Sequence, residues 1–391
     1  MAGYLGYEAV AFARSMHTNL AKNIRELEES FLKNFQILAL LEAGGRVSLN
    51  NGGRGFDWPV QYRIHNVEGN TGETQRNFAR RNLFKTAYME YRGYQATDSM
   101  FYREFLENRG PEGVVKVYDN FITRLQTSIK QTLGPECWAS GYATGATTNW
   151  HGLESLFRVN TTTPQSVTAT SGAARTANAA DLVAYPDGNY AGIDVELGAY
   201  GGENESGEYW PYGVCDPDFD FWTPLICLTN TSHADLPGST DTFAGQGDES
   251  LRFGIVHGQR NATAEDQITN IFLSRDYYTK LLNLLDGKEQ VQVTGSMNLR
   301  AFGFKNVLIF DGIEVSWEGA IPSRTGYGVN WRNVELMGMD SDLLKAEGPE
   351  YDLQTQAFNA VVSTLSNFKF KSPRNFIKWC EVADLGKNDG V

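Results

Sequence analysis

The sequence predicts an α+β chain, and three stretches carry that prediction. Residues 112–134, EGVVKVYDNFITRLQTSIKQTLG, place Val114, Tyr118, Phe121, Ile122, Leu125, Ile129 and Leu133 in steps of three and four. That spacing is one stripe of an α-helix. Lys116, Asp119, Arg124, Gln126 and Lys130 fall on the opposite, solvated side. Pro111 precedes the helix, and Gly134-Pro135 supplies its stop. At 1.5 Å per residue the helix is a rod of roughly 30 Å. It is a spine for a domain, packing through Tyr118, Phe121, Leu125 and Ile129. The second stretch is a strand in which Phe56, Trp58, Val60, Tyr62 and Ile64 alternate with Asp57, Pro59, Gln61, Arg63 and His65. The third is the order strand, helix, hairpin between Ile268 and Trp317.

The remaining elements follow in chain order. From Glu8 to Glu42 the pattern is helical, with Leu20, Ile24, Leu27, Phe31, Phe35 and Leu38 on one stripe and Gly44-Gly45 closing it. This helix either packs on its own domain or is an arm reaching a neighbouring subunit. Residues 46–55 are a loop. Pro59 removes one backbone donor, so the strand at 56–65 belongs to an edge or a two-stranded ribbon. Its partner is 82–95, with Phe84, Thr86 and Tyr88 on one side. Together they form a long hairpin with a wide polar tip bearing Arg76, Arg80 and Arg81. A two-stranded ribbon alone is marginal in water, so this one must lie against its own domain or another chain. The arginines are either a solvated loop or partners for carboxylates on an adjacent subunit.

Asp98–Asn108 reads as a short helix with an Asp cap. Residues 136–149 loosen, and 149–157 make a compact turn and short helix. Residues 158–250 are irregular, with low-complexity small residues followed by turn formers and aromatics. Asp216, Asp218 and Asp220 have the spacing of part of a calcium loop, but the glycine and the distal glutamate are missing. Leu225–Thr229 and Ile268–Leu273 are strands. Ser274 caps a helix that Gly287 ends. Residues 290–294 form a strand, and 307–317 form a hairpin turning at Asp311-Gly312. A strand centres on Trp331–Leu336. A helix around 353–365 and two short strands separated by Pro373 lead to a polar tail.

Composition narrows the function. With 391 residues, 41% hydrophobic and 21% charged, the chain is globular and holds two or three subdomains. Its formal net charge of −13 argues against gripping phosphates, although a wall around nucleic acid need not grip it. Cys137, Cys215, Cys227 and Cys380 form no CxxC, which leaves zinc-ribbon and thioredoxin readings without support. The sequence offers no signal peptide and no apolar run long enough to span a bilayer, so a cytoplasmic site of synthesis and no membrane partner are expected. His17, His65, His151, His233 and His257 are scattered, and no nucleophile elbow, phosphate loop or dinucleotide loop occurs. No catalytic site, metal or cofactor is assigned, and the chain is not expected to be an enzyme.

The order of parts resembles the major capsid protein of tailed bacteriophages with the Hong Kong 97-type fold. WPVQYRI with NLFKTAYMEYRGYQ is similar to the extended E-loop and its return. EGVVKVYDNFITRLQTSIKQTLG is similar to the spine helix of the P-domain. IFLSRDYYTKLLNLL with VLIFDGIEV is similar to the late A-domain, with Phe310, Gly312, Ile313 and Val315 at its turn. FKFKSPRNFIKWCEVA is similar to the closing strands. The resemblance implies five segments: an N-terminal arm (1–45), the E-loop hairpin (46–97), the P-domain with its spine (98–148), the A-domain (149–322) and returning strands (323–391). It implies hexamers and pentamers closing an icosahedral shell around double-stranded DNA, without sequence-specific binding. Assembly would take place in the host bacterial cytoplasm, and the final location would be the virion. Contacts between subunits would be made by Trp58, Tyr62, Arg76, Arg80, Arg81 and Tyr88. Partners would be a scaffolding protein, a portal protein and, in some shells, a decoration protein. The chain enters its arm almost directly after Met1, so a separate scaffolding protein is expected if this is the full gene product. Lys85 lies in the hairpin, but no partner for a cross-link between subunits is identified. The competing readings are a nanocompartment shell of encapsulin type and a glycan-binding or hydrolytic protein using the 158–250 loops.

Overall fold

The computed structural model describes residues 36–61, 72, 83–103, 124–125, 128–129, 131–159, 166–168, 174–176, 183–184, 186, 188–195, 222–229, 242–259, 266–286, 307–381 and 384. Several sequence expectations lie outside these residues: the arm before Gln36, Tyr62, the tip with Arg76, Arg80 and Arg81, and Tyr118 and Phe121 of the spine. The Asp216–Asp220 run, the stop at Gly287, the strand at 290–294 and residues 385–391 do so as well.

Helix α1 (Gln36–Ala43) buries Ile37, Leu38, Ala39, Leu40 and Leu41. Its end is the double-bonded glycine stop that the sequence announced. Gly45 has φ +61°, its amide donates to Glu42 O at 3.0 Å, and the Arg46 amide reaches Leu41 O at 2.8 Å. Gln36 fixes the other end, donating to Trp317 O and accepting from Ser316 Oγ at 2.6 Å.

Strands β1 (Val47–Ser48), β2 (Gly55–Gln61), β3 (Phe84–Glu90) and β4 (Arg92–Phe101) follow. Among the described residues, β2 and β3 pair only with each other, from Gly55↔Glu90 to Gln61↔Phe84. This is the two-stranded ribbon that Pro59 required. The expected single strand 82–95 is instead broken at Tyr91, and β4 leaves the ribbon to pair with a strand near the chain end.

That strand, β17 (Ala357–Phe370), overturns two expectations. The helix expected around 353–365 is an extended strand. Val361, Val362 and Thr364 are β-branched and pack better on a pleated surface than on a helix. β17 pairs with β4 along Ala357↔Phe101 to Ser366↔Arg92, with β15 (Val334–Gly338) and with β16 (Lys345–Asp352). The same pairing holds Asp98–Phe101 in β4, where the sequence reading began a short helix. Three neighbouring strands supply more partners than an isolated helical turn could. The expected strand at 331–336 starts later, after a 3-10 turn at Trp331–Asn333 capped by the Asn330 side chain.

The spine is helical at every described position between 124 and 136. The stop comes later than Gly134-Pro135. Both lie in the last turn, which closes with Trp138 N donating to Pro135 O at 3.0 Å. Proline lacks only the donor for the preceding turn, so it is tolerated as the first residue of this tighter one.

Short pairs follow: β5 (Ser166–Thr168) with β6 (Ala174–Thr176), and β8 (Asn189–Tyr190) with β9 (Ile193–Asp194). The second sheet is mixed. It contains β7 (Val183–Ala184), β10 (Leu225–Leu228), β11 (Asn270–Leu273), β12 (Val307–Phe310), β13 (Ile313–Trp317), β14 (Thr325–Val329) and β18 (Ile377–Cys380), in the order β12-β13-β11-β14-β18-β10-β7. The β12–β13 turn is the expected one, with φ +48° at Asp311 and +84° at Gly312. Helices α2 (Phe243–Gln259) and α3 (Arg275–Asp286) cover one face. The 149–159 segment and the spine lie toward the other. The central strands are therefore buried on both sides and alternate between two cores: Ile377 and Trp379 face the helices, while Cys380 faces the opposite layer.

Glycine lets α2 approach the sheet. A Cβ on Gly254 would sit 2.6 Å from Trp379 Nε1, which is itself held by donation to Ser250 O at 3.1 Å. Gly254→Ala would gain about 1 kcal/mol in helix propensity. The rigid indole cannot give way, and overpacking costs about 1–3 kcal/mol. We expect a net loss of stability, read as a lowered denaturation midpoint in urea.

Candidate assembly interface

The ribbon is built as two faces. Across β2 and β3, Phe56, Trp58, Val60, Ala87 and Met89 point inward and are buried. Asp57, Pro59, Gln61, Phe84, Thr86 and Tyr88 point outward by the period of two. Phe84 is 56% exposed and Tyr88 45%. Two large aromatic rings on one outer face of a ribbon are an interface signature, because such rings bury much area at small entropic cost.

The inner face is anchored by aromatic packing. Phe56 stacks on Trp58 at 5.9 Å, and Trp58 lies 6.4 Å from Tyr190. Tyr190 lies 6.2 Å from Trp222 and 6.0 Å from Phe370, and its hydroxyl accepts from the Phe370 amide. Lys369 Nζ stands 5.6 Å over the Trp58 ring. The Tyr88 amide donates to Ala191 O at 3.0 Å, tying β3 to the β8–β9 turn. Gly55 is needed where the ribbon begins, since a Cβ there would meet the Tyr88 hydroxyl at 2.8 Å and collide with Met89 O.

Below the ribbon, Arg92 at the start of β4 ties down the irregular segment after the spine. Its Nη1 donates to Gly141 O, Ala146 O and Asn149 O at 2.9, 2.7 and 2.7 Å. Burial pushes this guanidinium below its ordinary range, with neighbouring Tyr142, Tyr94 and Glu90 opposing. Glu335 sits near Lys371, Lys369 and Arg46, at 2.5, 3.3 and 3.9 Å. Burial would raise its carboxyl, but Lys371 and Lys369 hold it below the usual carboxylate range.

Of the expected interface residues, Tyr88 stands on the exposed face. Trp58 is 6% exposed and belongs to the chain's own core, because alternation sends it to the side opposite Tyr88. Phe84, assigned no role from the sequence, shares the outer face with Tyr88. The signal was available, since Phe84, Thr86 and Tyr88 fall on one side by spacing alone. Leu125 and Ile129 are buried as the spine's stripe required. They wall a cleft of about 610 Å³ against β4 and β17, with Arg124 forked onto Asp98 at its rim. No group of three or more metal-ligating side chains occurs among the described residues. His151 is buried and packs 4.3 Å from the Tyr142 ring.

No known family profile matches the chain, and no curated protein matches it. Solved structures do. The chain is similar to the capsid asymmetric unit of Cyanophage A-1(L), at 13% identity and a TM-score of 0.52, over 86% of this chain and 90% of that one. It is similar to the capsid of the native GTA particle at 9% identity and a TM-score of 0.50, over 88% and 90%. The chain therefore has the α+β fold of capsid proteins. This is the fold that the Hong Kong 97-type resemblance implied.

Proposed function

We propose that this chain is the major capsid protein of a tailed bacteriophage, a subunit that closes an icosahedral shell around double-stranded DNA. The observation that carries the reading is the extent of the fold match: nine-tenths of each of two capsid chains is spanned at once. The ribbon supports it. Its outer face presents Phe84 and Tyr88 with no covering element among the described residues. In a shell these rings would lie on a neighbouring copy. Many weak contacts of one kind, repeated under closed symmetry, give collective stability. A net charge of −13 suits a wall that contains DNA without holding it.

Within this reading, residues 1–45 are the arm, 46–97 the hairpin, 98–148 the spine domain, 149–322 the axial domain and 323–391 the return. The strand at 92–101 joins the sheet of the return. Hexamers and pentamers, a scaffolding protein, a portal protein and a decoration protein are the proposed partners. Assembly in the bacterial cytoplasm and residence in the virion are part of the same proposal, as is a purely structural, non-enzymatic role.

Electron microscopy of the protein expressed alone and with its neighbouring genes tests this. Closed shells, or polymers of hexamer-like units, are the expected result. A monodisperse monomer or dimer under both conditions overturns it. The double substitution Phe84→Ser with Tyr88→Ser should leave monomer stability within about 0.5 kcal/mol, as exposed positions do, and should abolish closed shells. Deleting Asn66–Arg81 should likewise give a folded subunit that does not assemble. Normal shells from either variant would remove the ribbon from the interface.

A further inference from the structure

We propose that Lys378 and Glu154 become joined by an amide bond, formed by the folded chain on itself. The two side chains are both fully buried, at 0% exposure, and are 224 positions apart in sequence. Lys378 sits on β18 directly opposite Tyr327 of β14. Glu154 comes from the 3-10 turn Leu153–Leu156, which carries it up to the sheet. Lys378 Nζ lies against Glu154 Oε1, and the Tyr327 hydroxyl donates to Glu154 Oε2 at 2.5 Å. The Tyr327 ring stacks on Trp138 at 5.6 Å and lies 6.0 Å from Phe157. An amine, a carboxyl and a hydroxyl donor are thus enclosed together in an aromatic layer.

Each part has a chemical consequence. Burial takes away the water that would otherwise solvate the two groups separately, so nothing competes with their contact. A desolvated lysine is a nucleophile. Holding it against its electrophile replaces a bimolecular encounter, with effective molarities of about 10⁵–10⁸ M in well-oriented cases. The Tyr327 hydroxyl supplies the hydrogen bond that a developing oxyanion on Oε2 requires.

The step balances without any further reactant. Nζ passes one proton to Oε1 and attacks Cδ, and charge gathers on Oε2 against the Tyr327 hydroxyl. A second proton passes from Nζ to Oε1, the Cδ–Oε1 bond breaks, and one water leaves. One C–N bond has formed and one C–O bond has broken, with no change in oxidation state. The product is a covalent tie between the segment after the spine and the strand that ends the chain. It closes within one subunit and is independent of any contact between subunits.

Mass spectrometry of the intact full-length protein, folded, then denatured and measured, decides the matter. The expected mass is one water below the sequence mass, and digestion should give a branched peptide joining Lys378 to Glu154. Lys378→Met should restore the full sequence mass. Tyr327→Phe should slow the bond, giving a mixture in freshly made protein. A folded wild-type chain that keeps its full sequence mass after days of incubation overturns the proposal, and the pair is then a buried ion pair only. Loss of water without that branched peptide overturns it equally.

Discussion

Trp58→Ala is expected to lower the unfolding free energy by about 3–5 kcal/mol, the range for emptying a buried aromatic site. Trp58 is 6% exposed and links three parts of the chain: Phe56 beside it, Tyr190 of the β8–β9 hairpin, and Lys369 of β17 above it. Its loss leaves a cavity at the ribbon's root that rigid neighbours cannot close. A urea titration should show a lower midpoint with an unchanged slope, because the same surface is exposed on unfolding. Trp58→Phe should cost far less, since the indole N–H meets no partner among the described residues and most of the ring volume is kept. A cost under about 1 kcal/mol for Trp58→Ala would mean that the ribbon is not seated on its own domain.

Acid should unfold the chain through His151. Burial, with a smaller contribution from Arg92, pushes this imidazole from 6.5 down to about 3. The unfolded chain takes a proton near pH 6.5 that the folded chain refuses until about pH 3. Stability therefore falls as pH drops through that window and is fully present above it. A separation of this size is worth about 5 kcal/mol at the acid end. Glu335, held low by its lysines, adds a further loss only below its ordinary 4.5. Glu136 and Glu318, raised by burial, act in the opposite direction above 4.5. The wild-type curve is thus a composite, and the difference between wild type and His151→Gln isolates the imidazole. Chemical denaturation at several pH values should show a much flatter dependence between pH 6.5 and 3 for the variant. Parallel curves would place His151 in contact with water.

Much of the local structure was legible because short-range chemistry decides it. Gly44-Gly45 stops α1 through a left-handed residue, whatever the helix packs on. Asp311-Gly312 turns a hairpin because both positions accept positive φ. Pro59 confines β2 to a two-stranded ribbon because it lacks a donor. Alternation then divides the ribbon into an inner face with Trp58 and an outer face with Tyr88. Sequence does not say which face is covered: the alternation alone lets Trp58 serve a neighbouring chain, and its burial in this chain's own core is decided by the fold.

The rest was settled by partners distant in sequence. Residues 353–365 carry apolar side chains at spacings that suit a helix, yet they form a strand because β4, β15 and β16 come to pair with β17. Asp98–Phe101 has a helix cap in its sequence, yet it lies opposite Ala357–Ala360 in a sheet. The buried triad of Glu154, Tyr327 and Lys378 was equally invisible. A lysine at an alternate position of a short apolar strand reads as solvated until both faces of the sheet are known to be covered. Periodicity records what each segment can do alone. The three-dimensional fold selects among those options, since pairing and burial energies between distant segments exceed the fractions of a kcal/mol that separate helix from strand in an isolated peptide.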